Sequence, residues 1–228
     1  PRPESESITL RPEGTAGVVR AAIENSLIAQ EGSRAKVYYL GPNFRYERPQ
    51  KGRLRIHHQF GVEAFGIAEP DQDVECILLQ MDFYRRCGVK DLSLRINSLG
   101  DRESKQRYRD VLVQFLSPKS ASLSEDSQRR LNENPLRILD SKDPRDVAAC
   151  QGAPSAMDSL SPKSLAHFER VKKLLAQASV SFAVDGTLVR GFDYYTDTLW
   201  EVTAGGLGSQ NAIGGGGRYD TLVEQLGG

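Results

Sequence analysis

Five cations, Arg45, Arg48, Lys51, Arg53 and Arg55, fall within eleven residues of a 228-residue chain. They lie in the stretch Phe44-Arg45-Tyr46-Glu47-Arg48-Pro49-Gln50-Lys51-Gly52-Arg53-Leu54-Arg55. Two short alternating segments flank a cationic turn containing Pro and Gly, the pattern of an antiparallel hairpin. Cations so clustered on paired strands suit a polyanion such as a nucleoside triphosphate, because a planar guanidinium grips two phosphate oxygens at once. On the returning strand Gln59, Gly61 and Glu63 alternate onto one face, so an amide and a carboxylate share the side of the cations. A solvated basic hairpin carries the same pattern, and the hairpin alone does not separate the two readings.

Two further stretches bear chemistry. In Leu188-Val189-Arg190-Gly191-Phe192-Asp193-Tyr194-Tyr195-Thr196, one Arg, one Asp and two adjacent Tyr stand among apolar residues. An Arg there can neutralise an anion and a phenol can orient a donor or acceptor; a turn with a buried Arg–Asp pair is the alternative. In Ala212-Ile213-Gly214-Gly215-Gly216-Gly217-Arg218-Tyr219-Asp220, four glycines let the backbone approach a ligand. The spacing is neither that of a phosphate-binding P-loop nor that of a dinucleotide fingerprint, and a plain glycine turn is the default for such a run.

The elements that must position these residues follow from periodicity. Ile8 to Leu10 reads as a short strand, and Thr15 can cap a helix from Ala16 to Ala29 with Val18, Ala22, Ile23 and Leu27 inward. Lys36 to Leu40 reads as a strand leading into the hairpin. Asp71 opens an amphipathic helix through Val74, Ile77, Leu78, Met81 and Tyr84, closed by Gly88. Leu92 to Ile96, Val180 to Val184 and Leu199 to Val202 read as strands, and Tyr219 to Leu226 as a last helix. Between Asp101 and Ser179 only helical periods occur, separated by Ser-, Asp- and Pro-rich connections. That segment reads as a helical module inserted into a strand-rich domain.

Composition narrows the classes. Thirty cations balance thirty anions, so no global basic field points to nucleic acid, although a local patch can still bind phosphates. Three cysteines, Cys76, Cys87 and Cys150, make an odd count without CxxC spacing, which argues against a disulfide framework or zinc site; Cys76 and Cys87 read as core thiols. No apolar run approaches a membrane span, and the first residues do not resemble a signal peptide, so the expectation is a cytoplasmic protein with no membrane partner. The absent initiator Met and the closing Gly227-Gly228 suggest an internal piece of a longer protein.

Together the motifs resemble the histidyl-tRNA synthetases, a family of class II aminoacyl-tRNA synthetases. The resemblance runs through Thr9-Leu10-Arg11-Pro12-Glu13-Gly14-Thr15-Ala16, the Phe44–Arg53 hairpin (class II motif 2), Leu188–Tyr195 and Gly215–Asp220, the last two being the histidine-specific motifs. It implies an α+β fold: a mainly antiparallel sheet flanked by helices, with 1–100 and 184–228 as catalytic core and 101–183 as a helical insertion domain. It implies ATP-dependent activation of histidine to histidyl-adenylate and transfer to the terminal adenosine of histidine tRNA, with Mg²⁺ bridging the phosphates and a homodimeric assembly.

By the same resemblance Arg45 and Arg190 are the catalytic arginines, meeting the α-phosphate from opposite sides, Arg190 also at the histidine carboxylate. Glu47, Arg53 and His57 are the other ATP-side positions; at His57 the family often has an aromatic residue that stacks on adenine. Glu13, Gly14, Thr15 and Gln59 match the residues around the histidine α-ammonium. Glu63 and Tyr195 match those at the two imidazole nitrogens, and Tyr194 and Tyr219 the pocket wall. Motif 1, motif 3 and the anticodon-binding domain are expected outside 1–228, so the piece alone is expected to be inactive. Lys105, Arg107, Arg109, Arg129, Arg130, Lys172 and Lys173 of the insertion are candidates for tRNA phosphate contact, most reading as solvated face. Two other classes remain: the regulatory subunit of ATP phosphoribosyltransferase, which resembles a synthetase without charging tRNA, and a non-catalytic tRNA-binding module.

Overall fold

A computed structural model describes residues 9–30, 32–46, 54–205 and 212–228. The chain divides into two compact units, Pro1–Ala68 with Leu222–Gly228, and Glu69–Thr221. The fold is α+β, as the periodicities require.

In the first unit, helix α1 (Thr15–Glu24) accompanies an antiparallel pair, β1 (Ala35–Phe44) and β2 (Ile56–Phe65), and the short α7 (Leu222–Gln225). The pair is continuous in register from Ala35 opposite Phe65 to Phe44 opposite Ile56. The Arg45 amide extends the ladder to the Arg55 carbonyl at 2.9 Å. The expected hairpin is thus present, its turn lying outside the described residues. Three expectations here need correction. Thr9 and Leu10 belong to no strand. Thr15 is the first helical residue, not the cap: Gly14 occupies that position, and the Glu13 carboxylate accepts from the Thr15 and Ala16 amides at 2.6 and 2.9 Å. A carboxylate serves this end well, since it satisfies orphan amides and meets the positive end of the helix dipole. The helix also stops at Glu24, five residues early, because Asn25 returns its amide to the Ala21 carbonyl and Ser26 turns to φ +57°.

The second unit is built on a four-stranded sheet in the order β4 (Ala183–Val184), β3 (Leu92–Ser98), β5 (Thr196–Ala204), β6 (Ala212–Arg218). Only the β3–β4 pair is parallel. Helix α2 (Pro70–Arg86) packs with α6 (Pro162–Gln177), and Ile77, Met81, Phe168, Val171 and Leu175 join Ile96 and Val202 in one core. Of the run 180–184 only the last two residues pair as strand, and of the last predicted helix only Leu222–Gln225 forms. The glycine run is not a turn. It is the edge strand β6, paired with β5 from Thr196–Arg218 to Thr203–Ala212 with two register shifts. Glycine loses strand propensity but gains space here: a Cβ on Gly216 would come 2.5 Å from the Trp200 ring, and one on Gly217 2.6 Å from Tyr195.

Between β3 and β4 the chain is helical: α3 (Arg102–Leu116), α4 (Glu125–Glu133), α5 (Pro144–Ala149) and α6, with 3₁₀ turns at Ser117–Ser122, Pro135–Ile138 and Ala156–Ser159. Asp101, Ser124, Asp143 and Ser161 each cap the following helix with a side-chain oxygen. A second core of Tyr108, Leu112, Leu116, Leu123 and Ile138 extends to Val189, Tyr195 and Leu199, so the helices support the motif at 188–195 directly.

This helical stretch is pinned by one buried acid. Asp146 is fully shielded from solvent, and its carboxylate accepts from the Ser124 amide and from the hydroxyls of Ser124, Ser127 and Ser141 at 2.5–2.8 Å. Burial alone would raise its pKa, but these donors outweigh burial and hold it at about 2, below the ordinary 3.8. A folded pKa below the unfolded one contributes stability that is complete above about pH 4 and is lost as pH falls toward 2. After discounting for screening, the effect is on the order of 1–2 kcal/mol. Asp146→Asn is therefore expected to lower stability at pH 6, and its deficit against the wild type to narrow at pH 3. Urea unfolding of both proteins at the two pH values measures it; an equal deficit at both would show that the charge is unimportant.

Cys76, Cys87 and Cys150 are all free thiols. Cys87 caps the exposed end of α2 and is not a core residue, because the apolar face of that helix ends with Met81 and Tyr84. Among the described residues no helix is long and apolar enough to cross a membrane.

Candidate functional site

In the first unit, cross-strand register gathers one set of candidates. Thr15 donates its hydroxyl to Glu63 at 2.9 Å, and Glu63 is only 7% exposed. Four residues back on the same face of β2, Gln59 accepts from Asn43 at 2.8 Å and donates to the Tyr39 hydroxyl at 3.5 Å. Tyr39 stands opposite Gly61 in the ladder, and its ring fills the space that side chains at Gly14 and Gly61 would need: added Cβ atoms would lie 2.2 and 2.1 Å from it. Gly14 and Gly61 therefore make room for one aromatic ring, and Gln59 and Glu63 lie on the same face of β2 as Gly61. His57, half-buried, continues the same face opposite Asn43.

Arg45 is exposed at the end of this ladder, its Nε donating to the Pro12 carbonyl at 3.0 Å. Arg11 makes the matching bond to the Pro42 carbonyl at 2.8 Å, so the segment before α1 is stitched to β1 by two guanidinium groups. Arg45 keeps its two terminal nitrogens beyond that anchor, the geometry a bidentate anion contact uses. Glu47 and Arg53 lie outside the described residues.

In the second unit, Arg190 does not pair with Asp193. Its Nη1 donates to Glu201 on β5 at 3.0 Å, while Asp193 accepts from the Asn134 amide at 2.6 Å. The Arg190 Nε is buried and meets no acceptor among the described residues. The motif backbone is held at three carbonyls by two side chains. Asn97 donates to the Leu188 carbonyl at 2.9 Å, and Lys105 of α3 donates to the carbonyls of Asp193 and Tyr195. Burial lowers the Lys105 pKa, with the nearby Asp193 charge opposing it. Tyr194 stacks on Phe192 (centroids 5.3 Å, planes 7° apart), tilts against Tyr195 and meets Tyr219 edge-on at 5.8 Å. One aromatic cluster therefore joins Tyr194, Tyr195 and Tyr219.

The end of β6 is clamped separately. Arg218 Nη2 donates to Asp73 Oδ1 at 2.7 Å and to the Glu69 carbonyl at 3.2 Å, and its Nη1 donates to Asp220 at 3.1 Å. His167 Nε2 lies 2.7 Å from the other Asp73 oxygen. Burial would raise the Asp73 pKa, yet His167 and the Arg218 charge hold it below the ordinary carboxylate value. Further along, Trp200 donates to Gln80 at 2.6 Å, Gln80 to the Tyr84 hydroxyl at 3.1 Å, and Tyr84 to the Ile213 carbonyl at 3.0 Å. Helix α2 thereby holds the glycine strand at both ends.

Several participants escape sequence reasoning. Tyr39, Asn43, Gln80, Arg95 and Glu201 carry no motif signal; only the facing glycines at 61 and 215 hint that something large lies across from them. Among the cations of the helical stretch between β3 and β4, Lys105 is committed to the motif loop. Arg107 bonds Glu103 and the Ser159 carbonyl, Arg109 the Asn132 carbonyl, Arg129 pairs with Asp126, and Lys172 with Glu169. Arg130 is half-buried and Lys173 exposed. Among the described residues no group of three or more His, Cys, Asp or Glu gathers where a metal ion could sit.

Known proteins match this arrangement. The family model described as histidyl-tRNA synthetase covers residues 2–228. The chain is 53% identical over 222 residues to the histidine–tRNA ligase of Thermosynechococcus vestitus, covering 97% of this chain and 52% of that protein. It is 52% identical over 223 residues to the histidine–tRNA ligase of Acholeplasma laidlawii, with 97% and 53% covered. The crystal structure of apo S. aureus histidyl-tRNA synthetase aligns with TM-score 0.74 at 39% identity, over 99% of this chain and 54% of that one. A structure titled ATP phosphoribosyltransferase regulatory subunit/histidyl-tRNA synthetase from Bacillus halodurans, 23% identical with TM-score 0.62, shares the fold. The chain spans about half the length of the curated relatives it matches. With all but its first residue matched, and with relatives above half identity, the chain belongs to the histidyl-tRNA synthetase family.

Proposed function

We propose that this chain is the core of a histidine–tRNA ligase. In the first step a histidine carboxylate oxygen attacks the α-phosphorus of ATP, the bond to the β-phosphate oxygen breaks, and pyrophosphate leaves. In the second, a ribose hydroxyl of the terminal tRNA adenosine attacks the histidyl carbonyl and AMP leaves. The observation that carries this reading is the Thr15–Glu63–Gln59–Tyr39–Asn43 constellation contributed by α1, β1 and β2: polar groups joined by hydrogen bonds on one face of the strand pair. It suits a small ligand that both donates and accepts.

Each side chain then takes a role. Glu13, fixed by two α1 amides, and Thr15 with Gln59 receive the α-ammonium, with Gly14 keeping the approach open. Glu63 accepts from one imidazole nitrogen and Tyr195 meets the other, Tyr194 and Tyr219 forming the wall. Buried polar groups of this kind reject apolar competitors, whose binding would leave them unpaired. Arg45 and Arg190 meet charge building on the α-phosphate, so catalysis is positioning and electrostatic stabilisation without a covalent enzyme intermediate. Glu47, Arg53 and His57 serve the nucleotide. Mg²⁺ is assigned to the phosphates of the nucleotide and supplies charge neutralisation there.

The helical segment 101–183 is proposed as the insertion domain within a catalytic core of 1–100 and 184–228, with exposed Lys173 proposed for an acceptor-stem phosphate. The full protein is proposed to be a cytoplasmic homodimer. Tyr38, Leu40, Ile56 and Phe60, all exposed on the outward face of β1 and β2, support a covered apolar surface there.

The test is the full-length protein assayed for histidine-dependent ATP–pyrophosphate exchange and for charging of total tRNA. Both activities are expected, with histidine alone among amino acids. Absence of exchange in a folded protein would favour the regulatory-subunit reading. Salt-sensitive tRNA binding without histidine binding would favour a tRNA-binding module.

A further inference from the structure

A row of alternating charges crosses the sheet of the second unit. Arg95 on β3 stands opposite Glu201 on β5 and beside Ala183 on β4, with Asp185 two residues further along. Arg95 donates through Nη1 to Asp185 at 2.9 Å and through Nη2 to Glu201 Oε1 at 2.5 Å. The second Glu201 oxygen accepts from Arg190 Nη1 at 3.0 Å. Opposite Glu201 on the next strand is Gly215, where a Cβ would come 3.1 Å from that same Nη1 and 2.4 Å from the Trp200 carbonyl. Acid, base, acid and base thus follow one another from Asp185 to Arg190, and the missing side chain at 215 makes room for the last guanidinium.

We propose that Glu201 is a positioning residue for Arg190, with Arg95 as its second charge; this rests on the assignment of Arg190 to the reacting phosphate. An arginine has a long, flexible stem and samples many rotamers unless something fixes its head. Glu201 fixes one terminal nitrogen. The buried Nε, which meets no acceptor among the described residues, is then a donor whose bond awaits an anionic ligand. Arg95 draws on the other oxygen of Glu201, so that the carboxylate directs Arg190 without wholly neutralising it, and Asp185 balances Arg95. The arrangement orients a cation before the reaction, so that little reorganisation is needed when charge develops.

The experiment is a double-mutant cycle in the full-length protein between Arg190→Ala and Glu201→Gln, read as the single-turnover rate of adenylate formation, with melting temperature measured alongside. Glu201→Gln is expected to slow adenylation about 10–100-fold, the usual consequence of losing a charge-assisted anchor. In the Arg190→Ala background the same change is expected to alter the rate less than about twofold, because nothing is left to position. Equal losses in both backgrounds would make Glu201 merely structural and overturn the proposal. A normal rate in Glu201→Gln beside a slow Arg190→Ala would overturn it while leaving the role of Arg190 intact. A normal rate in Arg190→Ala would remove the underlying assignment as well. Should Glu201→Gln melt below the assay temperature, Glu201→Asp, which keeps the charge but withdraws it by one methylene, is expected to show the same coupling to Arg190.

Discussion

Arg190→Ala in the full-length protein is expected to lower histidine-dependent pyrophosphate exchange by about 10²–10³-fold, the loss typical of removing one preorganised donor from a developing oxyanion. The physical ground is that Arg190 is held, not merely present. Its head is bonded to Glu201, its backbone neighbour Leu188 is bonded by Asn97, and the loop after it by Lys105. Such a cation contributes chiefly where charge appears, so the decrease should fall mostly on kcat, with a smaller rise in KM for histidine through its carboxylate. Affinity for tRNA should change little. Exchange kinetics together with a tRNA binding titration measure both, and near-normal exchange would remove Arg190 from the chemistry.

The second large effect is expected at Glu63. Its carboxylate is buried and already accepts from Thr15, so it enters the pocket oriented and desolvated. A hydrogen bond from an imidazole N–H to such a group is charge-assisted and strengthened by the low local dielectric. Glu63→Ala is expected to raise KM for histidine by about 10–100-fold. The KM for ATP should stay within about threefold, since the role proposed for this residue is toward the amino acid and not the nucleotide. Steady-state exchange with each substrate varied in turn provides the measurement. An unchanged KM for histidine would overturn the pocket assignment, and equal rises for both substrates would indicate general damage to β2.

The elements with strong period and clear punctuation were legible in the chain. The α2 pattern from Val74 to Tyr84 is closed by Gly88 at φ +76°, and the cationic hairpin pairs residue for residue along ten positions. Capping was misread where two oxygen-bearing residues compete. Thr15 has the favoured chemistry for a cap, yet Glu13 satisfies the Thr15 and Ala16 amides with a full charge, so the helix begins at Thr15 and its hydroxyl bonds Glu63. The glycine run was illegible for a different reason. Strand propensity counts side chains packing on a sheet, whereas Gly215, Gly216 and Gly217 are strand because of what their neighbours place over them.

The sequence by itself determined the family, the α+β class and the identity of the candidate residues, because motif spacing and helical period are local properties that survive without coordinates. Only the tertiary structure decided the partners: that Arg190 pairs with Glu201 instead of Asp193, that Lys105 holds a loop instead of reaching outward, and that Asp146 anchors three serines. Those choices rest on contacts between residues up to ninety positions apart, set by strand register and core packing, and no local pattern encodes which of several acids a given cation will meet.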